Sequence, residues 1–100
     1  MRLPKKISEE LCKKITINDI GILICGSGIG MSIKANRFSH IRCALCYESK
    51  LAELSRKHNN ANVLALVSRF INYEKSIEIL QTFITTKFEG GRHISRINML

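Results

Sequence analysis

The chain has 100 residues, which is enough for one domain around one hydrophobic core. Hydrophobic residues make up 45% of it and charged residues 24%, a balance that excludes a disordered tail. Lys and Arg outnumber Asp and Glu by 16 to 8, and the resulting net charge of +8 suits nucleic acid, an anionic membrane or a phosphorylated metabolite.

The distribution of these residues narrows the choice of partner. The basic residues form no block or arm and the aromatic residues do not interleave with them, so no nucleic acid partner is predicted. The longest apolar stretch, residues 20–25, is far shorter than the roughly 20 residues of a membrane span, and residues 1–15 lack the apolar segment of a secretory signal. We therefore expect a cytoplasmic protein whose cysteines are free thiols: Cys12, Cys25, Cys43 and Cys46.

Apolar periodicity predicts eight elements in the order α β α β α β α α. An amphipathic helix covers residues 5–15, where apolar side chains recur every fourth position and Pro4 fits the first turn. Residues 20–25 have no polar side chain on either face, and this pattern predicts a strand buried on both sides. The remaining elements are a helix over 31–37, a strand over 41–46, a helix over 48–57, a strand over 63–67 and helices over 73–86 and 93–99.

This order predicts one α/β domain over residues 1–100, a three-layer, doubly wound (Rossmann-like) parallel sheet with a C-terminal helix. Such a sheet binds ligands at the carboxyl ends of its strands, where the segments 25–30, 46–48 and 68–69 lie. Two helices have predicted inward faces, formed by Leu51, Ala52, Leu54 and Ser55 in one and by Ile77, Leu80, Phe83 and Ile84 in the other.

The segment Gly26-Ser27-Gly28-Ile29-Gly30 follows the first predicted strand. Glycines let backbone N–H groups approach an anion at a helix start, although the same pattern also forms a tight strand-to-helix turn. A dinucleotide fingerprint needs glycine where Met31 stands, and no Gly-Lys-Ser/Thr follows for a P-loop, so a smaller anion such as an enediolate fits better. Cys25 ends the strand beside this segment, where a helix N-terminus lowers a thiol pKa; inert packing is the alternative.

Three other groups of residues are candidates. Cys43 and Cys46 stand three apart on a predicted strand, so their side chains point to opposite faces and predict neither a redox pair nor a metal site. The His58-Asn59 pair lies in a loop after a helix, which favours an accessible imidazole or an ordinary surface histidine. Arg92 and Arg96 lie four apart on the last predicted helix, where they either hold a phosphate or face solvent.

Four motifs, taken in order, closely resemble the ribose-5-phosphate isomerase type B family, whose fold the galactose-6-phosphate isomerase subunits share. The likeness runs from about residue 3 to the C-terminus. The motifs are GILICGSGIGMSI at residues 21–33, Ala35-Asn36, His58-Asn59-x-Ala61-Asn62-Val63-Leu64 and Phe88-Glu89-Gly90-Gly91-Arg92-His93-x-x-Arg96.

The resemblance implies an isomerase of the pentose phosphate pathway that interconverts ribose 5-phosphate and ribulose 5-phosphate through an enediolate, without metal or cofactor. It implies that Cys25 is the base acting between C1 and C2, that Ser27 relays a proton, and that His58 is the acid that opens the sugar ring. The implied substrate-binding residues are Gly26, Gly28, Ile29, Gly30, Asn59, Arg69, Arg92 and Arg96. It also implies a homodimer or homotetramer in which His58 or the arginines serve a partner's Cys25.

The chain departs from the family pattern in three places. Family members open with a strand bearing Ser-Asp-His-Ala-Gly, and the sequence contains no such segment. Asn60 stands where Asp is usual, and Val67-Ser68 stands where Gly-Ala is usual, which predicts an altered loop near Arg69. We expect a domain that is incomplete at its N-terminus and less stable than a full-length member. The alternatives are a galactose-6-phosphate isomerase subunit and a catalytically inactive module that binds a sugar phosphate or another subunit.

Overall fold

Helices flank an open sheet in the computed structural model, which describes residues 9–16 and 18–100 and, at Cys25, the backbone. Residues 9–14 are helical and are called α1, whereas residues 5–8 of the predicted first helix lie outside the described residues. No helix within the described ranges has the length and apolar character needed to cross a membrane. The other elements are β1 (Gly21–Cys25), α2 (Ile29–Ala35), β2 (Cys43–Cys46), α3 (Ser49–Asn59), β3 (Val63–Val67), α4 (Tyr73–Thr85) and α5 (His93–Ile97).

The order of these elements confirms the prediction, and β3 has the predicted bounds. Helix α2 begins two residues earlier than predicted because Gly28, in a left-handed conformation, is its N-cap residue. Strand β2 begins two residues later than predicted. The reason is local, because the backbone N–H of Arg42 donates to the side-chain Oδ1 of Asn62 at 2.7 Å instead of pairing with another strand.

The three strands run parallel in the order β1-β3-β2. All five residues of the central strand β3 are buried. The prediction that β1 is buried on both sides is wrong for the described part of the chain, since Leu23 is buried but Ile24 is 63% exposed. The physical reason is position in the sheet: among the described residues β1 is an edge strand, and Ile24 lies outside the apolar clusters that cover the two faces.

Two apolar clusters lie on opposite faces of the sheet and produce the predicted three layers. One contains Leu23 with Cys12 of α1 and Met31 of α2, and the other contains Leu66 with Ala52 of α3 and Phe83 of α4. The cysteines of β2 follow this division, because Cys46 belongs to the second cluster and Cys43 packs against the first. Their predicted divergence is confirmed, and no disulfide involves the cysteines whose side chains are described, Cys12, Cys43 and Cys46.

The inward faces of the long helices are only partly as predicted. Ala52 and Ser55 of α3 are buried, as is Phe83 of α4. Ile84 was predicted to face inward but is 53% exposed, whereas Ile79 is fully buried. Residues 79 and 83 are four apart and share one face of the helix, while residue 84 is turned away by a further 100° or so. The other predicted inward residues are half-buried: Leu51, Leu54, Ile77 and Leu80.

Candidate active site

The glycine loop, residues 26–30, connects β1 to the first turn of α2. Gly28 has a φ of +77°, and a Cβ at this position would lie 2.5 Å from Cδ1 of Leu45. The carbonyl of Gly26 accepts the backbone N–H of Arg69 at 3.1 Å, and a Cβ on Gly26 would lie 3.1 Å from Nη2 of Arg69. The backbone conformation therefore disfavours a side chain at Gly28, whereas at Gly26 a Cβ would require the guanidinium of Arg69 to shift by only a few tenths of an ångström.

The structure brings Arg69 to the same end of the strands as Cys25. Cys25 is the last residue of β1, and its backbone lies beside Val67, the last residue of β3. The side chain of Cys25 lies outside the part that the structure describes. Ser27 and Ile29 are exposed, and outside its chain neighbours and its own helix backbone no described atom lies within 4 Å of the Cβ position of Gly30. The first backbone N–H groups of α2 lack partners within the helix. Together with the guanidinium of Arg69 beside the loop, they suit the binding of a small anion.

A cavity of about 400 Å³ opens beside the glycine loop, at the carboxyl ends of the strands. Its lining is mostly apolar, and Ser27, Tyr47 and Lys75 supply its polar side-chain groups. Sequence reasoning selected the segment 46–48, which contains Tyr47, but it missed Lys75 and the exposed Phe70. The signal available for Phe70 was its position directly after the selected segment 68–69, at the carboxyl end of β3. The apolar lining residues are Ile29, Leu45, Val67, Phe70 and Ile71.

A second group of predicted residues gathers where α3 ends. Arg96 of α5 donates from Nη1 to Oδ1 of Asn59 at 2.8 Å and from Nη2 to the carbonyl of His58 at 2.7 Å. The imidazole of His58 stacks on that of His93, with the ring centroids 4.3 Å apart and 21° between the planes. Sequence reasoning did not select His93, although it stands between Arg92 and Arg96 in the last motif.

The second group carries mostly positive charge. Partial burial, together with the positive charges of His58, Arg92 and Arg96, lowers the pKa of His93. Arg92 is the N-cap residue of α5 and is exposed, so it presents a guanidinium to solvent. This part of the surface suits an anionic group such as a phosphate.

The two groups lie at opposite ends of the sheet. Strand β1 pairs with β3 from Gly21 beside Val63 to Cys25 beside Val67, so the glycine loop and Arg69 follow the carboxyl ends. His58 and Asn59 precede Val63 and therefore lie at the amino ends. A five-residue strand spans about 13 Å between its first and last Cα atoms.

This separation divides the predicted site residues. Arg69 stands with the glycine loop, whereas Arg92 and Arg96 stand with His58, so one chain does not gather the three arginines around one phosphate. A second cavity, of about 480 Å³, lies beside β2 and is lined in part by Asn59 and Ile97, away from the glycine loop. Each end of the sheet thus carries a cavity and part of the predicted site.

Comparison with known proteins agrees with this architecture. Residues 5–100 match the sequence model of a family described as Ribose/Galactose Isomerase. The ribose-5-phosphate isomerase B of Escherichia coli is 46% identical over 82 residues, which cover 82% of this chain and 55% of that protein. The chain thus spans little more than half the length of this relative.

Two solved structures are similar over most of the chain. The ribose 5-phosphate isomerase B of Anaplasma phagocytophilum is 46% identical with a TM-score of 0.90, covering 95% of this chain and 66% of that one. The enzyme of the same name from Clostridium thermocellum is 37% identical with a TM-score of 0.92, covering 96% of this chain and 66% of that one. With the family match running from residue 5 to residue 100, this chain belongs to the ribose/galactose isomerase family.

Proposed function

We propose that this chain forms part of a cytoplasmic sugar-phosphate isomerase of the pentose phosphate pathway that interconverts ribose 5-phosphate and ribulose 5-phosphate. The observation that carries the proposal is the guanidinium of Arg69 against the glycine loop, at the strand end formed by Cys25. A fixed cation beside backbone N–H donors stabilises the negative charge of an enediolate. Relatives named ribose-5-phosphate isomerase B, such as the protein that is 46% identical, support the choice of substrate.

In the proposed mechanism Cys25 acts as a thiolate. It removes the proton from C2 of the open-chain aldose, the C1–C2 double bond forms, and the oxygen on C1 takes the negative charge. The N–H groups of residues 26–30 donate to that oxygen, and each such donor is worth about 3 kcal/mol in the transition state. The thiol then returns its proton to C1, while the hydroxyl of Ser27 passes the proton of the C2 oxygen to the C1 oxygen, which completes the ketose.

The second group acts before the proton transfer. His58 is the proposed acid that opens the sugar ring by protonating the ring oxygen. Arg96 holds the backbone of His58 and the side chain of Asn59 in place through its two hydrogen bonds, and Asn59 contacts the sugar. Arg92, exposed at the start of α5, contacts the phosphate.

We propose that a second copy of the chain completes each site. Because the glycine loop and His58 lie at opposite ends of one sheet, they reach a single sugar phosphate only when they come from two chains. A homodimer with two equivalent composite sites is the simplest assembly that satisfies this geometry.

Turnover of ribose 5-phosphate by the full chain tests the activity. We expect Cys25→Ala to abolish turnover, and unchanged turnover in this variant would overturn the assignment of the base. Galactose 6-phosphate, assayed in parallel, tests the second activity in the family description. Calorimetric binding of ribose 5-phosphate without turnover would instead identify a binding module.

Mixing two inactive variants tests the composite site. In an equal mixture of Cys25→Ala and His58→Asn chains, half of the dimers carry both variants, and each of these has one intact site. We therefore expect about a quarter of the wild-type activity to return. A mixture as inactive as its components would contradict a site shared between chains.

A further inference from the structure

Three metal-ligating side chains meet beside the end of α3, on the second group of site residues. His58, Glu89 and His93 each offer one ligand atom, and these atoms all lie within 4.8 Å of one another. The two imidazoles are half-buried and stacked, whereas Glu89 is exposed. They are two of the three histidines in the chain. The proposed isomerisation uses His58 but assigns no role to Glu89 or His93.

Two hydrogen bonds, one between backbone groups and one from a side chain, hold the two segments that carry these side chains. The backbone N–H of Glu89 donates to the carbonyl of Lys57 at 3.1 Å, one residue before His58. Nε of Arg56 donates to the carbonyl of Thr86 at 3.1 Å, which ties the preceding turn of α3 to the same segment.

The turn between Glu89 and His93 contains two glycines with positive φ. Gly90 and Gly91 have φ values of +71° and +59°, and the backbone N–H of His93 donates to the carbonyl of Gly90 at 3.3 Å. Since glycine adopts this conformation without steric cost, the turn returns His93 to the side of Glu89. The backbone positions of the three residues are therefore set by the fold.

We propose that His58, Glu89 and His93 bind a divalent transition-metal ion of the zinc class. Two imidazole nitrogens and one carboxylate oxygen form a common three-ligand set for zinc, with a further position open to water. Imidazole favours Zn²⁺, Co²⁺, Ni²⁺ and Cu²⁺ over Mg²⁺ and Ca²⁺. Ligand atoms around tetrahedral zinc are about 3.3 Å apart, so rotation of the exposed and half-buried side chains must close the remaining gap of up to about 1.5 Å. The same rotation must tilt the stacked imidazoles apart, because a ring nitrogen binds an ion in the plane of its ring.

The neighbouring charges partly oppose a cation. The carboxylate of Glu89 lies 4.0 Å from Nζ of Lys57, and the ion must displace that ammonium group. Lys57 has a second carboxylate within reach, since Oε1 of Glu53 lies 3.7 Å from the same Nζ. Arg96 keeps its positive charge while it donates to Asn59 and to the carbonyl of His58, and Arg92 is exposed beside it, so the three metal–ligand bonds must outweigh the repulsion of both guanidinium groups.

Metal binding has a consequence that rests on the proposed function. A ring nitrogen of His58 that coordinates an ion no longer carries a proton for ring opening. The metal therefore inhibits the isomerisation, and removing it with a chelator restores the activity.

The site is tested on the full chain by calorimetric titration with zinc chloride and by the visible spectrum of added Co²⁺, without sugar. We expect one ion per chain and a tetrahedral Co²⁺ spectrum. Loss of an outer-shell partner already lowers metal affinity by about 10- to 100-fold, so His93→Gln and Glu89→Gln, which remove a ligand, must weaken binding at least about tenfold. Circular dichroism establishes that each variant is folded.

Matched controls use residues of the same type outside the cluster. His40→Gln removes the third histidine, and Glu53→Gln removes the other carboxylate near Lys57. Both controls must bind zinc with unchanged affinity. Equal affinity in His93→Gln and the wild type, a thiolate-to-Co²⁺ charge-transfer band, or no measurable zinc binding would overturn the proposal.

These measurements separate the metal site from the enzyme activity. Zinc binding that depends on Glu89 and His93 in a chain without turnover would support the site and reject the isomerase. Turnover that is insensitive to zinc, in a chain that does not bind zinc, would support the isomerase and reject the site.

Discussion

At the scale of single residues, the glycines of the loop between β1 and α2 are not equivalent. Gly28 has φ +77°, and a Cβ there would meet the far end of the Leu45 side chain. Gly30 has helical geometry and open space around it among the described residues. The same residue type is thus required by conformation at one position and by neither conformation nor packing at the other.

We predict that Gly28→Ala lowers the free energy of unfolding by about 1–2 kcal/mol, because an L residue in the left-handed region is strained. The side chain of Leu45 adds little to this cost, since its end can rotate away. Gly30→Ala, the matched control, should leave stability unchanged or raise it by up to about 1 kcal/mol, because alanine favours a helix. Urea unfolding followed by circular dichroism measures both, and equal effects would contradict the distinction.

Cys46 is a buried thiol whose charged form is unfavourable in the folded state. Burial, opposed in part by a hydrogen bond with Ser55, raises the pKa of Cys46 from its ordinary 9.0 to about 11. Below pH 9.0 the thiol keeps its proton in both the folded and the unfolded state, so stability there does not depend on its titration. Between pH 9.0 and about 11 the unfolded chain loses the proton that the folded chain retains, so stability falls.

We predict that this titration lowers the free energy of unfolding of the wild type by about 2 kcal/mol between the lower and the upper end of that pH range. Cys46→Ala should start from a lower stability, because the substitution leaves a small cavity, and should lose less as the pH rises. Denaturant unfolding at a series of alkaline pH values gives the two slopes. Parallel slopes would show that Cys46 is not responsible.

At the scale of the elements, α4 packs on the core through a few side chains of one face. Ile79 and Phe83 are fully buried, and the guanidinium carbon of Arg56 in α3 lies 5.6 Å from the centroid of the Phe83 ring. Ile84, the next residue along the helix, is 53% exposed. Apolar composition alone does not distinguish these neighbours, but their direction from the helix axis does.

We predict that Phe83→Ala lowers the free energy of unfolding by about 3–5 kcal/mol, because it removes a buried ring and leaves a cavity. Ile84→Ala is the control and should change stability by less than about 1 kcal/mol. Thermal or urea unfolding distinguishes the two. Comparable losses would mean that Ile84 is buried in solution.

At the scale of the whole molecule, the described sheet has an uncovered apolar edge. Strand β1 pairs with β3 alone among the described residues, and its Ile24 is 63% exposed. Ile29 and Ile33 of α2, four residues apart, are also exposed. Unpaired strand edges with apolar side chains promote association between chains.

We predict that Ile24→Lys weakens self-association of the chain, because a charged side chain on an edge strand opposes edge-to-edge pairing. Sedimentation velocity over a range of protein concentrations measures the effect. Ile84→Lys, at a comparably exposed isoleucine on α4, is the control for a general effect of added charge. If both variants reduced association equally, the edge of β1 would not be the contact.

The fold could be predicted well from local patterns, and the candidate site only in part. The apolar run that became β3 and the glycines after β1 are signals within a few residues, so the order of elements followed from them. The position of Arg69 over Gly26 joins segments that are 43 residues apart, and no local pattern contains it. The bonds from Arg96 to His58 and Asn59 span 38 and 37 residues and were equally hidden.

The sequence by itself determined the parallel α/β architecture and the glycine loop, because apolar periodicity and glycine conformation act over a few neighbouring residues. Only the tertiary structure decided that Arg69 stands with the glycine loop while Arg92, Arg96 and His58 stand at the other end of the strands. The physical reason is strand direction. All strands of a parallel sheet run in the same direction. A residue that precedes one strand and a residue that follows another therefore lie at opposite ends of the strands, however close their motifs are along the chain.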